Sequence, residues 1–196
     1  EEMMLEDIRL LKQANVSHER TASYPNDPRW LELCDEFGIY VTGVANIDAP
    51  GDGTAENPLA SDPAWLDTHV ERVMAMVERD KNHPSVLIWS LGNRSSGGKN
   101  FAAANAAVKD RDPTRPTHFT NFGTGETNPC DLDGLVYPTP AVLQQSAAKT
   151  AAKPIYVSEI TGSVGNALGG FADKWNIIRQ SPGFAGGAVT GWQDQA

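Results

Sequence analysis

Two stretches of this chain end in polar side chains of the kind that catalyse reactions. Residues 84–98 (PSVLIWSLGNRSSGG) form an apolar run followed by a glycine- and serine-rich turn that carries Asn93 and Arg94. Residues 154–160 (PIYVSEI) form a second apolar run, with Glu159 next to its end. A glutamate placed there can serve as a nucleophile or a general base, whereas an arginine guanidinium stays protonated at neutral pH and cannot exchange a proton. A solvated residue at the end of a strand is the alternative interpretation of Glu159.

The elements that must hold these side chains alternate between strands and helices. β-Rich or apolar runs predict seven strands, at residues 16–22, 38–44, 86–89, 116–121, 132–137, 154–160 and 187–192. Apolar residues at helical spacing and helix-start signals predict helices at residues 1–15, 27–38, 99–111, 140–152 and 165–180. A further helix is predicted to start at Asp62-Pro63 and to stop at Asn82-His83-Pro84. Such alternation is typical of parallel βα units, and barrels of such units build active sites at the C-terminal ends of their strands. We predict a single domain over residues 1–196, an incomplete (β/α)8 TIM-type barrel of about seven strands.

The composition limits the kinds of partner that the protein can have. The 196-residue chain has a formal net charge of −9, which argues against nucleic acid and anionic membranes, because phosphate binding relies on clustered Lys and Arg. No run approaches the roughly 18 apolar residues that cross a bilayer, and no signal peptide is visible, so a cytoplasmic protein is expected. The sequence has no phosphate-binding glycine motif, no G-x-S-x-G motif and no His or Cys pair at metal-ligand spacing. We expect no cofactor.

The two cysteines and two of the histidines are predicted to be structural. Cys34 lies on an apolar helical face and is interpreted as a buried thiol, with a disulfide to the distant Cys130 as the alternative. His69 lies within a helix and His83 at the point where that helix stops, and both are expected to support the fold.

Three ionisable residues on strands are further candidates for chemistry. His18 and Glu19 are neighbours on the first strand, so the alternation of side chains directs one towards the barrel interior and the other towards the helices. An inward-facing His or Glu, and likewise His118 on the fourth strand, could act as a base. A structural role is the alternative for each.

Several longer segments resemble the catalytic barrel of family 2 glycoside hydrolases, most closely the bacterial β-galactosidase branch. They cover nearly the whole chain in order: DIRLLKQANVSHERTASYPNDPRWLELCDEFGIYV, ANIDAPG, ERDKNHPSVLIWSLGN, RDPTRP, YPTP, KPIYVSEI, GNALGGF and GGAVTGWQDQ. In that family a first barrel strand precedes the DIRLLKQ helix, so the resemblance implies that the chain begins after this strand. The resemblance likewise implies that the β-sandwich domains of full-length relatives lie outside the sequence given.

The resemblance implies a retaining glycosidase with two carboxylates about 5–5.5 Å apart, one a nucleophile and the other an acid/base. The nucleophile position falls on Glu159, in SEI where relatives have CEY. The acid/base position falls on Arg94, because this chain has GNR where relatives have GNE. Arg94 cannot protonate a leaving glycosidic oxygen, and beside Glu159 it is expected to form an ion pair.

Other positions that the family uses have also changed. The sugar-binding His of the family falls on Ser23, and the metal-binding pair falls on Asp48 and Pro50. Since Arg94 stands where relatives have a third metal ligand, the resemblance implies that the divalent-metal site is lost. A further His of the family falls on Gly162, and a sugar-stacking Trp falls on Thr190.

A second group of positions is retained, and it defines the expected substrate site. The retained residues are Arg20, Asn93, Tyr137, Glu159, Asn166 and Trp192. With Ser23, the residues Arg20, Asn93, Tyr137 and Trp192 are the predicted substrate-binding set, and Glu159 and Arg94 the predicted catalytic pair. Because the scaffold segments stay close to the family while the pocket lining changes, we favour a deliberately rebuilt, engineered or truncated site over a natural descendant that abandoned sugar chemistry.

Three functions follow from this pattern. The first is a glycosidase-derived hydrolase with weak or altered activity on a saccharide or another small molecule. The second is a redesigned barrel in which Glu159 acts as a general base for other chemistry. The third is a non-catalytic scaffold or subunit, since a seven-stranded sheet leaves two unpaired edges through which a homodimer could form.

Overall fold

The computed structural model describes residues 1–21, 23–48, 58–95, 97–120, 128–148, 153–163 and 169–192. The chain divides into two compact units, Glu1–Cys130 and Asp131–Ala196. Seven strands are described, and every pairing within a unit is parallel. The prediction of seven parallel strands is therefore confirmed.

The first unit contains four strands in sequential order, β1-β2-β3-β4, connected by helices. In chain order its elements are α1 Glu2–Gln13, β1 His18–Arg20, α2 Pro28–Phe37, β2 Tyr40–Val44, α3 Pro58–Ser61, a 3₁₀ turn Pro63–Trp65, α4 Leu66–Asp80, β3 Val86–Ser90, α5 Lys99–Arg111 and β4 Thr117–Phe119. Parallel pairing brings the C-terminal ends of these strands to one edge of the sheet.

Residues at the helix ends fix where these helices start and stop. The Asp27 carboxylate accepts a hydrogen bond from the Arg29 backbone N–H (2.8 Å) ahead of Pro28, the first residue of α2. Gly38 ends α2 with a φ of +69°, a conformation that costs glycine little. Asp62 caps the 3₁₀ turn Pro63–Trp65 in the same way, because its carboxylate accepts a hydrogen bond from the Ala64 N–H (2.9 Å).

A buried polar cluster anchors β3 against the segment that follows α5. The Asp112 carboxylate accepts hydrogen bonds from Trp89 Nε1 (2.9 Å), Arg115 Nη1 (2.7 Å) and the Thr114 hydroxyl (2.5 Å). Burial would raise the pKa of Asp112, but these hydrogen bonds outweigh it and hold that pKa well below its usual range. Arg115 also donates to the carbonyls of Val86 (2.7 Å) and His83 (3.1 Å), so this cluster joins side chains to the backbone of β3.

The second unit contains three parallel strands in the order β5-β6-β7 and two helices. Its elements are β5 Leu132–Val136, α6 Pro140–Ala148, β6 Ile155–Glu159, α7 Phe171–Gln180 and β7 Phe184–Gly187. Among its described residues, a buried apolar cluster contains Leu143, Val157, Ile160 and Ile178.

Several elements differ from those predicted. The short helix α3 is not among the predicted helices. Residues 169–170 form a turn and α7 begins only at Phe171, after Gly170 with a φ of +76°. The last strand spans Phe184–Gly187 rather than residues 187–192. Gly187 packs so closely against β6 that a Cβ would lie 2.7 Å from the Val157 carbonyl.

The structural roles expected for several residues are confirmed. Cys34 and Cys130 are both free and buried thiols. His69 Nδ1 lies 2.8 Å from the Trp65 carbonyl, and His83 Nδ1 lies 2.6 Å from the Asp35 carboxylate. Within the described part of the chain, no helix combines the length and apolar character needed to cross a membrane.

Candidate active site

In the first unit, polar side chains from three neighbouring strands meet at the C-terminal edge of the sheet. Arg20 is the last residue of β1, and Ser23 follows it after two residues. Asp48 follows β2, and Asn93 and Arg94 follow β3. A backbone bridge between Asp48 and Asn93 extends the β2–β3 pairing, so the two loops leave the sheet side by side.

These five side chains form one hydrogen-bonded chain. Arg20 Nη2 donates to Asn93 Oδ1 (2.9 Å), and Asn93 Nδ2 donates to the Ser23 hydroxyl (3.1 Å). Ser23 in turn donates to Asp48 Oδ2 (3.0 Å). Arg94 donates to the same oxygen through Nη2 (2.9 Å) and Nε (3.3 Å). The chain therefore links two guanidinium groups through a single carboxylate.

The burial of these groups increases away from Arg94. The Arg94 side chain is 62% exposed, the Asp48 side chain is 18% exposed, and Asn93 is only 4% exposed. Arg94 thus lies at the solvent-facing end of the chain. Arg94 forms an ion pair with Asp48 (2.9 Å), and the pair expected between Arg94 and Glu159 stays a prediction.

Unusual backbone conformations coincide with the predicted site residues. Among the described residues, four other than glycine have positive φ: Asn15, Ser23 (+68°), Arg94 (+38°) and Tyr137 (+45°). Non-glycine residues adopt this region at a steric cost and tend to do so where function requires it. Three of the four are residues that the sequence assigned to the site.

On the sheet face turned away from the helices, two histidines are held by hydroxyl groups of neighbouring strands. His18 Nε2 lies 2.9 Å from Thr42 Oγ1, and His118 Nδ1 lies 3.0 Å from Ser90 Oγ. Burial lowers the pKa of His18 to about 4; burial and the nearby charge of Arg20 lower that of His118 to about 3. Both imidazoles are therefore neutral at pH 7.

Glu19 points the opposite way from His18, as the alternation along the strand predicts. Its carboxylate accepts a hydrogen bond from Trp30 Nε1 of α2 (2.7 Å). Burial raises the pKa of Glu19, and the Trp30 hydrogen bond offsets part of that rise. Glu19 therefore belongs to the helix-facing layer and His18 to the inner face.

In the second unit, Glu159 is the last residue of β6 and is only 6% exposed. Its backbone carbonyl accepts a hydrogen bond from the Tyr137 N–H (2.7 Å), which fixes the end of β5 beside the end of β6. Gly162 and Thr190 form a bridge beyond the strands. Tyr137 and Trp192 are 50% and 47% exposed, so both present aromatic surface to solvent.

The described residues at the family's metal-site positions are Asp48 and Arg94. The described residues contain no group of three or more His, Cys, Asp or Glu side chains that could hold a metal ion. Pro50, one member of the expected metal pair, and Asn166, one of the retained residues, lie outside the described residues.

Sequence reasoning missed the partners of the site residues rather than the residues themselves. Thr42 and Ser90 hold the two inner histidines, yet neither was a candidate. Alternation along the strands could have found them, because Thr42 pairs with Arg20 and Ser90 pairs with His118 in the parallel register. The attachment of Arg94 to Asp48 joins residues 46 positions apart and has no local signal.

Comparison with known proteins gives a match over the whole chain. The family model described as "Glycosyl hydrolases family 2, TIM barrel domain" matches residues 1–196. A β-galactosidase of Pectobacterium atrosepticum is 41% identical over 208 aligned residues, which cover 100% of this chain and 20% of that protein. The chain therefore spans about a fifth of the length of this curated relative.

Solved structures with the same fold include two uronide-cleaving enzymes. A β-glucuronidase from Ruminococcus gnavus, in complex with C6-substituted uronic isofagomine, superposes with a TM-score of 0.78 at 20% identity, covering 97% of this chain and 39% of that one. A β-galacturonidase from Eisenbergiella tayi, bound to glycerol, gives 0.75 at 17% identity, covering 96% and 39%. At such low identity these matches establish the fold alone. The predicted incomplete TIM-type barrel is thereby confirmed.

Proposed function

The chain belongs to glycosyl hydrolase family 2, and on that premise we propose that it is a retaining glycosidase barrel whose general acid has been replaced by Arg94. The observation that supports this most directly is the placement of Glu159, a buried carboxylate at the C-terminal end of β6. The proposed substrate is a β-glycoside, with a β-galactoside as the first candidate because the 41%-identical relative is a β-galactosidase.

In the proposed reaction, a Glu159 oxygen attacks the anomeric carbon while the bond from that carbon to the leaving oxygen breaks. The leaving group departs with the bonding electrons and takes its proton from water, because Arg94 has none to give near neutral pH. Water then cleaves the glycosyl-enzyme ester and releases the sugar with its configuration retained. Loss of general-acid help costs a factor of about 10²–10⁴.

The substrate-binding set proposed here is Arg20, Ser23, Asn93, Tyr137 and Trp192. Asn93 and Ser23 carry hydroxyl- and amide-type donors and acceptors suited to sugar hydroxyls. The exposed rings of Tyr137 and Trp192 offer apolar faces for a sugar ring.

The leaving group provides the first test of this proposal. A nitrophenolate leaves without protonation, so we expect turnover of nitrophenyl β-galactoside or β-glucuronide and much slower turnover of the corresponding alkyl glycosides. Glu159→Gln should abolish that turnover. If the unmodified chain releases no more nitrophenol than Glu159→Gln does, the glycosidase proposal is refuted.

Arg94 is tested by restoring the missing acid. Arg94→Glu should raise the rate on alkyl glycosides by about 10²–10⁴-fold, because it returns a proton donor to this position, and should change nitrophenyl cleavage much less. Azide needs no general base, so it should accelerate the unmodified chain and yield a β-glycosyl azide. An Arg94→Glu rate on alkyl glycosides equal to that of the unmodified chain would contradict the assigned role.

A second candidate keeps Glu159 as a general base in a reaction other than glycoside hydrolysis, supported by the low exposure of its side chain. A pH–rate profile for proton abstraction from a carbon acid, with a step that Glu159→Gln removes, is the expected result. A non-catalytic subunit that forms a homodimer is the third candidate. The cytoplasmic location and the absence of a nucleic-acid partner stay predictions based on composition.

A further inference from the structure

The side chains around Asp48 are arranged to donate hydrogen bonds to a carboxylate and not to coordinate a cation. A divalent-metal site needs several oxygen atoms whose lone pairs converge on one point. Here the reverse holds at Asp48 Oδ2, which receives the Ser23 hydroxyl at 3.0 Å, Asn93 Nδ2 at 3.4 Å and Arg94 Nη2 and Nε at 2.9 and 3.3 Å. The residues present therefore do not fit the metal site that the family resemblance implies.

Two further oxygens near this point already accept hydrogen bonds. The Ser23 hydroxyl accepts from Asn93 Nδ2, and Asn93 Oδ1 accepts from Arg20. Asp48 Oδ1 accepts no hydrogen bond from the described residues but is buried away from solvent, so a hydrated cation has no direct access to it. A divalent ion that approached Asp48 Oδ2 would meet the positive charge of Arg94 and an oxygen that already accepts hydrogen bonds from Ser23, Asn93 and Arg94.

We propose that the Arg94 guanidinium takes the place of a divalent cation at Asp48, so that this site carries its counter-charge in the chain and binds no divalent metal. The guanidinium is permanently protonated and delivers two donors in a fixed geometry, which suits it to a carboxylate. The backbone supports this position in two ways. The bridge between Asp48 and Asn93 holds the two loops together, and Arg94 adopts a φ of +38° directly after that bridge.

The proposal is independent of whether the chain hydrolyses glycosides, since its readouts are metal binding and thermal unfolding. Mn²⁺ is the probe, with binding followed by the loss of its free-ion electron paramagnetic resonance signal. The unmodified chain should bind no stoichiometric Mn²⁺ and should melt at the same temperature in EDTA and in Mn²⁺. One bound equivalent of Mn²⁺ with a melting temperature that falls in EDTA would overturn the proposal.

Arg94→Glu is the reciprocal experiment, because it removes the cation and places a second carboxylate beside Asp48. We expect this variant to bind about one equivalent of Mn²⁺ and to melt a few degrees higher with Mn²⁺ than with EDTA. Arg9→Glu is the matched control: Arg9 also pairs with a carboxylate, that of Glu6, but lies on α1 outside the site. Equal Mn²⁺ binding by the two variants would overturn the proposal.

Arg94→Gln keeps the proposal testable if Arg94→Glu does not fold. It removes the positive charge and adds no negative one, so it should bind Mn²⁺ more tightly than the unmodified chain and more weakly than a two-carboxylate site. Mn²⁺ binding no tighter than that of the unmodified chain would show that Arg94 is not what keeps the metal out.

Discussion

At the scale of single residues, Glu19 is a carboxylate placed where a neutral side chain would suit the fold better. Its pKa is raised by burial, so keeping it charged at pH 7 costs stability. Glu19→Gln retains an oxygen that can accept the Trp30 Nε1 hydrogen bond and removes the charge. We expect Glu19→Gln to raise the free energy of unfolding at pH 7 by on the order of 1 kcal/mol, and to bring a smaller gain at pH 5.

Urea unfolding at the two pH values measures this difference. Glu36→Gln, on the exposed side of α2, is the control and should change stability by less than about 0.5 kcal/mol. A Glu19→Gln protein less stable than the unmodified one at pH 7 would show that the charge itself is needed.

The two inner histidines predict a loss of stability in mild acid. Their folded-state pKa values, about 4 for His18 and about 3 for His118, lie below the ordinary value of 6.5. The unfolded chain therefore takes up protons first as the pH falls, and stability is lost progressively below pH 6.5. At pH 5 the cost is roughly 2 kcal/mol for each histidine.

Urea unfolding between pH 7 and pH 5 is the measurement, with the double variant His18→Gln/His118→Gln for comparison. Above pH 6.5 the histidines contribute no pH dependence, so the difference between the two proteins should appear only below that value. If both proteins lose the same stability between pH 6.5 and pH 5, the histidines are not the cause.

At the scale of elements, the cluster around Asp112 should be the most sensitive polar contact of the first unit. Asp112→Ala removes the only carboxylate among the described residues that is shown to pair with the largely buried Arg115 guanidinium, and the acceptor of the Trp89 N–H. Removing one partner of such a buried pair costs roughly 3–5 kcal/mol. Thermal unfolding should show a much lower midpoint for Asp112→Ala, whereas Asp110→Ala, at an exposed position two residues earlier, should melt like the unmodified chain.

Elements with strong local signals were predictable, and those without them were not. Asp27, Pro28 and Gly38 encode both ends of α2 because each acts through its own backbone or a neighbour two residues away. The last strand has no such signal, since Gly186 and Gly187 have low β-propensity and their place depends on contact with β6. Sequence reasoning therefore moved this strand towards the more β-rich residues that follow.

The candidate site also has features with a local sequence signal and features that depend on tertiary contacts. Alternation along β1 predicted that His18 and Glu19 face opposite sides of the sheet, and the contacts with Thr42 and Trp30 confirm it. Which carboxylate would hold Arg94 depended on how two loops leave neighbouring strands. That is a tertiary property, and residue types alone do not encode it.

At the scale of the whole molecule, the family scaffold and the side chains of its site have changed to different extents. The family match runs over residues 1–196, yet the position that the proposed mechanism needs for an acid is occupied by an arginine. A substitution that changes the charge at such a position has little effect on the free energy of unfolding, because an exposed ion pair contributes only about 0–1 kcal/mol to stability. The fold can therefore persist while the chemistry changes.

The strand edges lead to a prediction about assembly. Among the described residues of each unit, β1 pairs only with β2 and β7 only with β6. Unpaired strand edges favour association with another chain, so a homodimer is expected by sedimentation velocity. Because each copy carries a net charge of −9, added salt should strengthen the dimer.

A charged residue introduced on an edge strand tests whether the dimer forms through that edge. Ala185 is an exposed residue of β7, and Ala185→Lys should shift the protein towards monomer, since a lysine on an edge strand opposes strand addition. Ala141→Lys introduces the same charge on the exposed surface of α6 and should leave the association unchanged. A monomer at all concentrations would contradict the expected dimer, and a dimer equally strong in both variants would require an interface other than this edge.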